Sequence, residues 1–123
     1  MSDLILHATA RASWSTAQAE GAYRTDSLAS EGFIHCSTAA QIVRVANMLF
    51  KGQRDLVLLV IDPQYLQAEL KWEPPVHPSG TGVPPADDLF PHLYGPLNLE
   101  AVVGVLPFDA GPDGAFSLPV ELQ

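Results

Sequence analysis

Basic side chains are scarce in this 123-residue chain: six Lys and Arg face fourteen Asp and Glu, for a formal net charge of −8. The six are scattered, at Arg11, Arg24, Arg44, Lys51, Arg54 and Lys71. Without a basic stripe nothing drives contact with a phosphate backbone, so duplex nucleic acid is not an expected partner. Cysteine is nearly missing too. Cys36 stands alone, so no internal disulfide can form and a reducing compartment fits best. No apolar run approaches the ~18 residues of a membrane span, and no membrane partner is expected. Residues 1–8 have neither a basic start nor a long apolar stretch, which makes the cytoplasm the expected location. Glycine-rich phosphate loops and CxxC, HxH or HExxH spacings are also absent, leaving convergence of separate histidines as the one route to a metal site.

What is present suits a single α+β domain over residues 1–123, with 47% apolar residues to build a core. Residues 3–7 read as a first strand, after which Thr9 is placed to cap a helix through about residue 22. Polar residues 23–31 read as a loop or single turn. A second strand is expected over 33–37, with Ser37 or Thr38 capping a helix over 39–50 whose stripe is Ile42, Val45, Ala46 and Leu49. Residues 56–61 are unbroken apolar, predicting a central strand buried on both faces. Strands are expected again at 70–73, 90–94 and 101–108, and a turn at Asp113-Gly114. Between them, residues 74–88 hold five prolines and two glycines, a composition for an exposed or lid-like loop.

Alternation along the strands sorts the polar residues onto faces. His35 and Ser37 share a face with Phe33, while Ile34 and Cys36 take the other, so Cys36 reads as a buried, inert thiol. His92 and Tyr94 share a face with Phe90, and His7 with Ile5. Three strands thus each offer a histidine among apolar neighbours. Each alone reads as a satisfied core histidine; three together favour a convergent site. Glu73 reads either as a solvated strand end or as a carboxylate at the pocket edge.

Five segments in one order carry a resemblance: LHAT at 6–9, EGFIHCSTAAQ at 31–41, LVLLVID at 56–62, LKWEP at 70–74 and FPHLYGPLNLEAV at 90–102. The chain resembles the bacterial and plant family called domain of unknown function 952. That family is in turn similar in fold to the ADP-ribosyltransferase superfamily. The resemblance implies two small, mostly antiparallel sheets clasping a cleft, two main helices, and a nucleotide-like small molecule as ligand, with NAD the candidate substrate. It implies that His7 and Ser37 touch ribose or phosphate, and that Thr38 belongs with His35 and Ser37 to the second motif. His35 would do orientation or acid–base work, His92 would sit against the leaving group, and Tyr94 would stack on the base. Phe90 and Trp72 would supply apolar walls. The superfamily's late glutamate has no counterpart at the expected spot, and Glu73 substitutes only if its side chain reaches the cleft. A small hydrolase or transferase on another metabolite, and a non-enzymatic module using loop 74–88, remain alternative readings.

Overall fold

The computed structural model describes residues 4–74 and 89–123. The expected proline-rich loop falls, over 75–88, outside the described residues. Among the described residues, eight strands form three antiparallel sheets, with three α-helices between them.

Strand β4 (Leu56–Ile61) is the centre of the first sheet, and all six of its residues are buried, as its unbroken apolar run predicts. β1 (Ile5–Ala10) pairs with one side of it, from Ile5 opposite Ile61 to Ala10 opposite Leu56. β8 (Val102–Pro107) pairs with the other side. One face of this sheet carries Leu6, Ala8, Leu56, Leu58 and Val60. It packs on Ile42 and Ala46 of helix α3 (Ala39–Leu49) and on Phe108 and Phe116 of the tail. The opposite face, with Ile5, Val57, Leu59 and Ile61, packs on Ile34 and Leu93 of a second sheet.

That second sheet has the order β3 (Ile34–His35), β6 (Phe90–Tyr94), β5 (Glu69–Glu73). A two-stranded sheet joins β2 (Ala22–Tyr23) to β7 (Leu97–Asn98). Gly95 between β6 and β7 has φ +157°, and a Cβ there would lie 2.7 Å from that of Ala68, so only glycine fits the turn. The first and second sheets are stitched by one bridge. Leu6 N–H donates to the Ser37 carbonyl at 2.7 Å and Ser37 N–H to the Leu6 carbonyl at 2.8 Å.

Among the described residues the expected two sheets are three, and a five-residue helix lies between the two main ones. Thr9 caps nothing: β1 continues through it, because its β-branched side chain suits the pairing with Val57, and helix α1 (Arg11–Glu20) begins beyond it without a side-chain cap. Residues 23–31 are not a plain loop. They hold Tyr23 of β2 and helix α2 (Asp26–Ser30), capped by Thr25 accepting from Leu28 N–H. In α3 the expected inner stripe is cut short, since Leu49 is 63% exposed and Gln41 is buried in its place.

Candidate functional site

The second sheet buries Ile34, Leu93 and, in part, Leu70 against the core, so its other face is set by the alternate residues. Register places His35 opposite His92, and His92 opposite Lys71. One step along, Phe90 stands opposite Glu73; one step the other way, Tyr94 stands opposite Glu69. Directly opposed residues share a face. The alternation thus collects two imidazoles, two carboxylates, an ammonium and a phenol on one surface.

Ring contacts show the packing. Phe33 stacks on His92 with centroids 4.1 Å apart, and its ring also meets His35 at 4.7 Å and Tyr94 at 5.2 Å. The two imidazoles meet edge-on at 5.4 Å. His92 Nδ1 lies 2.8 Å from Glu73 Oε1, and the Tyr94 hydroxyl donates to the same oxygen at 2.6 Å. Lys71 Nζ lies 4.8 Å from the centre of the Tyr94 ring, a cation–π contact. His35 Nε2 lies 3.2 Å from both oxygens of Glu31.

These contacts fix protonation. The bonds from Tyr94 and His92 hold Glu73 below the usual carboxylate range. Desolvation lowers the pKa of His92, outweighing the hydrogen bond to Glu73 that raises it. The Glu73 bond raises the Tyr94 phenol. At neutral pH His92 is therefore an uncharged ring whose Nδ1–H donates to a carboxylate. Its lone pair sits on Nε2, which makes no hydrogen bond to the described residues. A carboxylate-oriented imidazole with a free lone pair is the arrangement of a general base.

His35, His92, Glu73, Tyr94 and Phe90 thus share one sheet face, and Glu73 does reach the histidines. Four other expected residues are elsewhere. His7 lies on the first sheet with both ring nitrogens engaged: Nδ1 lies 2.6 Å from the His35 carbonyl and Nε2 2.8 Å from the Tyr23 hydroxyl. Burial pushes its pKa down to about 4, so the ring is neutral. It packs against its neighbours instead of presenting a free nitrogen to a ligand. Ser37 is buried and spends its backbone on the bridge to Leu6. Thr38 closes a capping box with Gln41, its N–H donating to Gln41 Oε1 at 2.9 Å, so its hydroxyl serves the helix. Trp72 lies opposite Pro91, and as the residue between Lys71 and Glu73 it projects to the other side of β5.

Sequence reasoning missed Glu31, Lys71 and the pair Tyr23–Thr9. Gly32, at φ +92°, breaks the alternation that would have linked Glu31 to His35. The buried thiol of Cys36 is pushed up to about 12 by desolvation and stays protonated. Among the described residues no group of three His, Cys, Asp or Glu could hold a metal ion. No helix among them is long and apolar enough to cross a membrane. A shallow pocket beside α1, lined in part by Ser13, Thr16, Glu20, Tyr23 and Arg24, includes none of the sheet-face residues.

The family model for a protein of unknown function, DUF952, matches residues 8–105. The crystal structure of protein CC0527 from Caulobacter crescentus is similar at 34% identity with a TM-score of 0.81, covering 97% of each chain. The solution structure of CC0527 is similar at 33% identity with a TM-score of 0.73, covering 92% of this chain and 90% of that one. Among curated proteins none matches.

Proposed function

Because this chain belongs to the DUF952 family, of unknown function, its activity has to be read from the site, and we propose that it binds NAD or a related nucleotide and acts on the glycosidic carbon. The observation that carries the reading is the His92–Glu73–Tyr94 group, a neutral imidazole held by a carboxylate, whose Nε2 lone pair has no partner among the described residues. Charge supports it. Glu31, Glu69 and Glu73 line or flank the face against one cation, Lys71, among the aromatic rings of Phe33, Tyr94 and Phe90. Such a surface favours a cationic aromatic ring and a cationic reacting carbon over a bare phosphate. The two stitched antiparallel sheets support an ADP-ribosyltransferase-like clasp.

In this reading the bond from the ribosyl carbon to the pyridinium nitrogen breaks, and its electron pair leaves with a neutral nicotinamide. The acceptor hydroxyl or water forms the new C–O bond while its proton passes to His92 Nε2. The Glu73 carboxylate offsets the positive charge, first at the carbon and then on the imidazolium.

Thermal unfolding with NAD, ADP-ribose, AMP, nicotinamide and nucleotide 2′-phosphates tests this. Saturation at ~100 times Kd adds about 2.7 kcal/mol, a shift of several degrees in a domain this small. NAD or ADP-ribose should shift the wild type, and His92→Gln should weaken that shift and slow any turnover by ~10²-fold or more. No shift with any nucleotide at millimolar concentration would end the reading.

A further inference from the structure

The two-residue strand β3 is an edge of the second sheet, and His35 sits at its last position. Cys36 N–H donates to the Pro91 carbonyl at 3.0 Å, so Cys36 faces β6. Backbone groups alternate sides along an antiparallel strand, which turns the carbonyl of His35 away from β6. There it meets His7 Nδ1 at 2.6 Å. A carbonyl only accepts, so Nδ1 carries the hydrogen, and in a neutral ring Nε2 must be the acceptor. The Tyr23 hydroxyl, 2.8 Å from Nε2, is then the donor to His7, and the Thr9 hydroxyl lies 2.8 Å behind that of Tyr23. A polar chain from the first sheet and β2 thus ends on the backbone of His35.

We infer that His7 is a positioning residue: backed by Tyr23 and Thr9, it fixes the His35 backbone and thereby the stance of the His35 ring between Glu31 and His92. The inference rests on the proposed site. Its contribution is mechanical, since His7 meets the carbonyl of His35 while the His35 side chain points to the other partners. A strand of two residues has little ladder of its own to hold that direction.

Two replacements separate positioning from packing. In His7→Asn the amide nitrogen stands where Nδ1 does and keeps the bond to the His35 carbonyl; in His7→Gln it stands where Nε2 does and loses that bond. Nitrogen-15 shifts of the His35 ring report whether Nε2–H still meets Glu31. His7→Gln should move those shifts and weaken nucleotide binding by about tenfold, the worth of one hydrogen bond, while His7→Asn restores both to within about twofold. A folded His7→Gln with unchanged His35 shifts would overturn the inference. So would a folded His7→Asn as impaired as His7→Gln. Should His7→Gln fail to fold, Tyr23→Phe decides, because removing the hydroxyl behind His7 should still move the His35 shifts, and unmoved shifts would refute the role. If no nucleotide binds the wild type, the proposed function fails, yet the ring shifts alone still decide this inference.

Discussion

Two imidazoles share the sheet face, each with its own carboxylate, but their surroundings differ. His92 is 2% exposed and stacked under Phe33, whereas the His35–Glu31 pair lies in the open. An exposed pair of this kind contributes little to stability, so Glu31 matters for aim more than for folding. The desolvated rings carry a pH signature. His7 binds its proton near pH 4 in the fold, against an ordinary value of 6.5, and His92 is also lowered. The unfolded chain therefore takes up these protons first, and stability falls as pH drops from above 6.5 toward 4. Between pH 8 and pH 5, His7 alone should cost about 2 kcal/mol. Glu73, held low by Tyr94 and His92, acts in the same sense at still lower pH, where its carboxylate is finally protonated. Urea midpoints at the two pH values check this. Equal midpoints would mean that neither ring is desolvated as described.

Length decides which elements could be read from the sequence. β4 and α3 were legible because six buried residues in a row, or three helical turns, give a period time to show. β2, of two residues, and α2, of five, are too short for any period, and only the cap Thr25 and the first-turn Asp26 signalled α2. The histidine face was legible for a related reason. His92, Tyr94 and Glu73 lie on strands of five residues, long enough for the i, i+2 spacing to assign them a face. His7 was misassigned because its partners are a backbone carbonyl 28 residues away and a hydroxyl on an unread strand. Nothing in the order of residue types encodes a carbonyl's direction. The start of α3 belongs to the same scale. Thr38→Ala removes one half of the capping box and should cost about 1 kcal/mol in chemical denaturation, without touching His35 or His92. A loss of nucleotide binding in a folded Thr38→Ala variant would return Thr38 to the site.

Across the whole molecule, the central strand of the first sheet is packed on both faces, while the second sheet commits one face to the core and gathers its polar residues on the other. Burial on both sides gives the scaffold its rigidity, and the half-covered sheet carries the titratable groups. The fold thereby separates a close-packed scaffold from a polar face. The stitch between Leu6 and Ser37 joins the two sheets by a pair of backbone bonds. Amides in such a joint exchange with deuterium only when it parts, so Leu6 and Ser37 act as paired clocks for the opening of one sheet from the other. They should exchange together, and as slowly as the amides of β4; exchange as fast as that of the C-terminal residues would mean that the joint stands open in solution. A ligand gripped by both sheets slows the two clocks, whereas one resting on the histidine face alone leaves them running at their own rate.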